Sequence, residues 1–127
     1  MLSKQEQAKF RSRLFRHLDG IVTAPSAFEL HDKGVTKFLL EKKKVSLTEI
    51  AEKFQAKDGY LHVALKTLCS QGWLIQHLDN AQNILEFEVN ERSEEAFANF
   101  ELYRHSVELM RLGEKYHNRK FELEPFL

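Results

Sequence analysis

Cysteine, proline and glycine are scarce in this sequence of 127 residues, which holds one, two and five of them respectively. The glycines stand apart at positions 20, 34, 59, 72 and 113, so no glycine-rich loop is present to hold a phosphate or a nucleotide. The single Cys69 offers no disulfide framework and lies on the apolar side of a predicted helix, where we expect a small core residue. These absences exclude a disulfide-stapled fold and the usual nucleotide-binding loops.

Excess charge and long apolar runs are also missing. The 19 lysines and arginines balance the 19 acidic residues, which counts against an electrostatic grip on nucleic acid. No apolar run is long enough to cross a membrane and Met1–Glu6 is not a secretory signal, so we expect a cytoplasmic protein. The six histidines lack metal-site spacing, and neither Ser70 nor Ser106 lies in a glycine elbow or carries another signature of nucleophilic catalysis. We therefore expect the chain alone to be non-catalytic, without cofactor or metal.

Residues 45–89 carry the pattern of a winged helix-turn-helix. The first helix is predicted around an apolar stripe of Ile50, Ala51 and Phe54, with Thr48 as its N-cap. The second helix is predicted over Tyr60–Gln71, with Asp58 as its cap. Its apolar face follows the spacing i, i+3, i+4, i+7 and i+8, in Leu61, Ala64, Leu65, Leu68 and Cys69.

After Gly72 the period of the pattern changes to two, which is typical of strands with one solvent-facing side. Trp73–Leu78 and Ile84–Val89 are the predicted strands, and residues 79–83 supply a polar turn between them. This hairpin forms the wing. The predicted fold is therefore mainly α with a small β-hairpin, a single winged-helix domain over residues 1–127.

Residues 1–44 are expected to form N-terminal helices. One is predicted from Ser3 to about Leu18, after which Gly20 and Pro25 interrupt the helical pattern. Its apolar face holds Leu14, Phe15, Leu18, Ile21 and Val22. A second helix is predicted to begin at Thr23 or Ala24, with Pro25 in its first turn, and to stop at Gly34. The arginines at 11, 13 and 16 are expected on a solvated face.

A long C-terminal helix is predicted within residues 93–117, with Ser93 as its cap. One apolar stripe has heptad-like spacing and consists of Ala96, Phe100, Tyr103, Val107 and Met110. A second stripe lies nearly opposite and consists of Leu102, Leu109, Leu112 and Tyr116. The winged helix can cover one stripe only. We therefore expect the second to be an interface, most simply in a homodimer, or otherwise with a further domain or a partner chain.

Four stretches, residues 16–25, 27–35, 47–51 and 65–74, resemble the N-terminal winged-helix region of S-adenosylmethionine-dependent methyltransferases. They include Arg16 to Pro25 (RHLDGIVTAP) and the phrase LKTLCSQGWL that ends at Leu74. The resemblance implies a dimerisation and substrate-lid domain of a small-molecule O-methyltransferase or polyketide-pathway enzyme, acting in natural-product biosynthesis. The catalytic domain, which would bind S-adenosylmethionine, would begin after Leu127, so no catalytic or cofactor-binding residue carries over.

The alternative is a small dimeric winged-helix transcription regulator, which would suit a chain of this length standing alone. In that case the second helix of the motif enters the DNA groove through Lys57, Tyr60, His62, Lys66 and Thr67. Two lysines offset by Asp58, with no arginine, make a poor surface for base recognition, and the wing turn has no basic residue. Specific binding to nucleic acid is therefore not expected.

Overall fold

The computed structural model describes residues 1–118, with side chains to Gly113, and within this part the chain forms six α-helices and three short strands. The first half contains α1 (Lys4–Asp32), α2 (Val35–Lys42), β1 (Lys44–Ser46), α3 (Leu47–Phe54) and α4 (Asp58–Ser70). The second half contains β2 (Leu74–Asp79), β3 (Ile84–Val89), α5 (Ser93–Ala98), a 3₁₀ helix (Phe100–Tyr103) and α6 (Arg104–Asn118).

The winged helix is confirmed, with one strand more than the predicted hairpin. The antiparallel sheet has the order β1-β3-β2, and Phe87 in β3 lies between Val45 of β1 and Gln76 of β2. Val45 and Phe87 are buried, so this third strand closes the sheet over the core. At the wing tip the Asp79 carboxylate accepts hydrogen bonds from the backbone N–H groups of residues 81 and 82.

The core lies where α1, α2, α3 and α4 meet the sheet. The face predicted for the second motif helix is buried at Leu61, Ala64, Leu65 and Leu68, while Cys69 is half-buried. Ile50 and Ala51 of α3 face the same cluster, and Leu39 of α2 is completely buried in it. The apolar residues Val35, Phe38 and Leu39, which follow Gly34, supply the buried side of α2.

The N-terminal region was predicted as two helices, and this is wrong because α1 runs unbroken from Lys4 to Asp32 with Pro25 inside it. A proline removes one backbone hydrogen bond from a helix, but its ring also holds a helical φ. The turns around Pro25 are held by packing, since Thr23, Ala27 and Phe28 are buried. The end of α1 was predicted correctly, because Gly34 follows with a φ of 88°.

The predicted caps are displaced by one or two residues. The side chain of Ser46, not Thr48, caps α3 by accepting a hydrogen bond from the N–H of Glu49 at 3.1 Å. At α4 the cap position is Lys57, which provides no side-chain hydrogen bond, and Asp58 is already inside the helix. Each helix of the motif therefore begins slightly earlier than its apolar stripe suggests.

The long C-terminal helix is also wrong as predicted, because it is divided at Asn99 into α5, the 3₁₀ helix and α6. The tighter 3₁₀ turn brings both Phe97 and Phe100 into the core, where Phe100 packs on Trp73 with ring centroids 5.3 Å apart. Ser93 is not a cap: its buried hydroxyl donates to the carbonyl of Trp73 and accepts from the N–H of Asn90.

Candidate functional site

The first two-thirds of α1 present a continuous apolar surface that nothing in the described chain covers. At about 100° per residue its members share one side of the helix within an arc of roughly 140°. Their exposed fractions run from 48% at Leu14 to 60% at Phe15. This surface, the α1 apolar face, consists of Phe10, Leu14, Phe15, Leu18, Ile21 and Val22. Phe10 was missed in the sequence, although its position four residues before Leu14 marks the same side.

A second apolar surface lies on the C-terminal helices, where the sequence predicted an interface. Leu102, Leu109 and Leu112 are exposed by 75%, 68% and 45%. Phe100 and Val107, from the opposite stripe, are buried, so the two predicted stripes face inward and outward up to Val107; Met110, predicted with the inward stripe, is wrong, because it is 41% exposed. We call the three leucines the α6 apolar face. The side chain of Tyr116, the fourth predicted interface residue, lies outside the described part of the chain.

Charged side chains fix α6 against the end of α1. The Arg104 guanidinium lies 4.9 Å from the centre of the Phe28 ring and pairs with Asp32 and Glu101. His31 Nε2 is 2.9 Å from Glu101 Oε2. Hydrogen bonds from Arg104 and then from His31 lower the pKa of Glu101 from 4.5 to about 2. These groups form a solvent-exposed structural network.

The surface of the winged helix is acidic. Residues 45–89 contain three lysines, no arginine and six acidic residues, a net charge of −3 with histidine neutral. Glu88 on the wing lies 3.0 Å from His77 Nε2, and Glu86 precedes it on the same strand. DNA affinity depends largely on cations placed against phosphates. Lys44 of β1 lies opposite Glu88 in the sheet and adds one cation beside these acids, but the surface as a whole offers few cations to a phosphate backbone.

The residues predicted for DNA contact do not share one surface. Tyr60 and Lys66 are exposed on α4, and Lys57 is exposed at its N-cap. Thr67 is half-buried and its hydroxyl donates to the carbonyl of Val63. His62 was predicted to face outward, and this is wrong: its ring lies beside Phe87, and its buried Nε2 has no hydrogen-bond partner among the described residues.

Catalytic and metal-binding groups do not converge in the part of the chain that the structure describes. No cluster of three or more His, Cys, Asp or Glu residues there could hold a metal ion. Burial raises the pKa of the Cys69 thiol to about 11, so the reactive thiolate is scarce at neutral pH. Of residues 1–118, no helix is long and apolar enough to cross a membrane.

A cavity of about 270 Å³ opens between the end of α1, the start of α2 and the turn from α3 to α4. Its walls are mainly apolar, with Leu30, Val35, Phe54 and Leu61 among the lining residues, and Glu29, Lys33, Lys57 and Tyr60 add polar groups. The sequence singled out Lys57 and Tyr60 as DNA contacts and Phe54 and Leu61 as members of apolar helix faces, but it did not bring these residues together in one site. A cavity formed by three separate elements leaves no local pattern by which it could be found.

The family model described as the AprA N-terminal domain matches residues 10–76. No curated protein matches the chain significantly. A MepR-like protein solved with pseudoligands has 14% identity and a TM-score of 0.50, over 99% of this chain and 92% of its own. AbsC, a MarR-family transcriptional regulator from Streptomyces coelicolor, has 14% identity and a TM-score of 0.47, over 99% and 94%. BldR, a transcriptional regulator from Sulfolobus solfataricus, has 11% identity and a TM-score of 0.49, over 100% of this chain and 100% of its own. At such identities the likeness concerns the winged-helix fold alone.

Proposed function

Because the chain belongs to the AprA N-terminal domain family, we propose that it is a non-catalytic association domain at the N-terminal end of a larger protein. The observation that carries this proposal is the α1 apolar face, six large side chains each about half exposed. Contiguous apolar patches of this kind are rare on soluble monomers and mark interaction sites. The acidic winged helix fits a domain whose partners are proteins.

The first partner is a second copy of the chain. Residues 4–18 have five basic residues and one acidic residue, whereas residues 91–108 have five acidic residues and two basic ones. A two-fold dimer that sets α1 of one copy against the C-terminal helices of its partner therefore joins opposite charges beside the apolar faces. Burying the remaining exposed half of six such side chains would contribute roughly 5–9 kcal/mol per copy. Two copies together can offset an association cost of about 4–15 kcal/mol.

The larger protein that we propose is an S-adenosylmethionine-dependent methyltransferase, in which this domain pairs the subunits and covers the substrate. Support comes from the sequence resemblance, which falls at residues 16–25, 27–35, 47–51 and 65–74, within the span matched by the family model. In this proposal the cofactor belongs to the catalytic domain. The chain alone should then give no saturable binding of S-adenosylmethionine in calorimetry, and a micromolar dissociation constant would contradict it.

Association is tested by light scattering of the 127-residue chain over a concentration series. The expected result is a dimer that Leu18→Glu converts to monomer, because a carboxylate would be placed inside the apolar contact. Gln5→Glu is the matched control: it adds the same charge about 140° away around α1 and should leave the dimer intact. A wild-type chain that stays monomeric at high concentration would refute the dimer.

A DNA-binding regulator is the second candidate, and the exposure of Lys57, Tyr60 and Lys66 on α4 favours it. The fold likeness to a MepR-like protein is compatible with it. Fluorescence anisotropy with labelled DNA duplexes at physiological salt distinguishes the regulator from the association domain. We expect weak binding that competitor DNA removes. A discrete complex that survives competitor and disappears in Lys66→Glu would replace the association domain with the regulator.

A further inference from the structure

Beyond association, we propose that the cavity between α1, α2 and α4 binds a small aromatic anion, such as a one- or two-ring carboxylate. This inference does not depend on the proposed function, because the cavity is formed within one copy of the chain. It uses neither apolar face, and the features that carry it are its walls, its charges and its size.

The apolar walls are set by the backbone. Gly34 lies opposite Phe54, and a Cβ atom at this position would be 3.8 Å from Phe54 Cε1, an ordinary van der Waals distance. The backbone at Gly34 therefore does not crowd the Phe54 ring, which lines the cavity. Phe54 is held from behind by an edge contact with Phe38, with ring centroids 5.7 Å apart. Gln55 ends α3 in the left-handed region and returns the chain, so that the N–H of Ala56 donates to the carbonyl of Ala51 at 3.0 Å. The walls of the cavity are therefore held by contacts within the chain.

Positive charge is in excess at the cavity. Glu29 is the one lining carboxylate, and it is already paired with Lys33 at 3.5 Å and with Arg111 at 3.1 Å. Lys57 lines the opposite wall and has no ion pair among the described side chains. It also occupies the N-cap of α4 without capping it, so the positive end of this 13-residue helix adds to its charge. Asp58 opposes this charge from the first turn but does not line the cavity.

Size and polarity then define the ligand. Pockets for drug-sized molecules measure about 300–1,000 Å³, so a cavity of 270 Å³ accepts one or two rings at most. A planar apolar body fits against Phe54 and the buried Leu61, and an anionic group would reach Lys57 or the hydroxyl of Tyr60. A cation of the same size would meet Lys57 and the net positive charge of the group formed by Glu29, Lys33 and Arg111. Charge complementarity therefore selects the anion.

The test is calorimetry with 2-naphthoate and two analogues of similar size, 2-naphthamide and 2-naphthylmethylammonium, on the 127-residue chain at physiological salt. We expect saturable one-to-one binding of the carboxylate, with the amide bound about threefold to tenfold more weakly and the ammonium not detectably bound. Equal affinity for carboxylate and amide, or no saturation of the carboxylate, would overturn the proposal.

Two lysine variants locate the site. Lys57→Gln should weaken 2-naphthoate binding about threefold to tenfold, whereas Lys66→Gln, the same change at an exposed lysine of α4 outside the cavity, should leave it unchanged. Both positions are exposed, so neither change is expected to unfold the chain. Backbone amide spectra should show ligand-induced shifts at residues 30, 54 and 61. Shifts elsewhere, or equal losses in both variants, would refute binding in this cavity.

Discussion

Gly34 has a φ of 88°, a backbone region in which any other L-residue is strained, and its position has room for a methyl group. Gly34→Ala should therefore destabilise the chain through its backbone alone, by about 1–2 kcal/mol. Gly20→Ala is the matched control, because Gly20 lies inside α1 with nothing near its Cβ position, and alanine is favoured in a helix by about 0.5–1 kcal/mol. Urea denaturation should show opposite changes in midpoint for the two variants. Equal changes would mean that the left-handed geometry is unimportant.

Residue-scale details were predicted only where they depend on neighbours in the sequence. Gly34 was found as a helix end because a C-terminal glycine is a local signal. Ser46 was missed as the cap of α3 because its extended conformation is set by pairing with Glu86, forty residues later. His62 was misplaced for a similar reason: helical spacing left it beside the apolar stripe, and only the packing of β3 turns its ring inward.

At the scale of elements, the exposed network around Glu101 ties α6 to the end of α1. The pKa of the Glu101 carboxyl group falls from 4.5 to about 2 on folding. Glu101 therefore contributes stability that is fully present above about pH 4.5 and is lost as the pH falls through about 2. The melting temperature of the wild-type chain should fall between about pH 4.5 and pH 2, and that of Glu101→Gln should fall less. Glu108→Gln is the control, because Glu108 lies on α6 with its carboxylate 3.9 Å from Arg104, and this variant should preserve the wild-type profile. Because the pairs are exposed, high salt should reduce the difference, and identical profiles for all three chains would exclude this role.

Element types and order followed from periodicity, and element breaks did not. The buried stripes of α4 and the alternation in β2 and β3 specify their structures locally, and these are confirmed. The break at Asn99 could not be predicted, because Phe97 and Phe100 enter the core together to pack against each other and against Trp73, which lies before β2 and far away in the sequence. In α1, conversely, Pro25 suggested a break that packing of the following turn prevents.

At the scale of the whole molecule, the two apolar faces raise the question of whether they form one interface or two. In a closed two-fold dimer both belong to the same contact, which then leaves no apolar face free. If each face bound a different neighbour, the association would not close and the chain would form larger species. The opposite charges of residues 4–18 and 91–108 favour the closed arrangement, in which each copy supplies one basic and one acidic segment.

We therefore predict that Leu109→Glu, on the α6 apolar face, gives the same monomer as Leu18→Glu on the α1 apolar face. Leu109 is 68% exposed, so the change should not disturb the fold of the monomer, which circular dichroism verifies. Glu108→Gln, at the adjacent exposed position, keeps the apolar face and removes only one of the five acidic charges of residues 91–108, so it should remain dimeric. Sedimentation velocity distinguishes the two arrangements. If both faces form one interface, either leucine variant is a monomer. If they form two interfaces, the wild-type chain forms oligomers larger than a dimer and each single variant is a dimer. A dimer that Leu109→Glu does not disturb would assign the interface to α1 alone and leave the α6 apolar face for another domain.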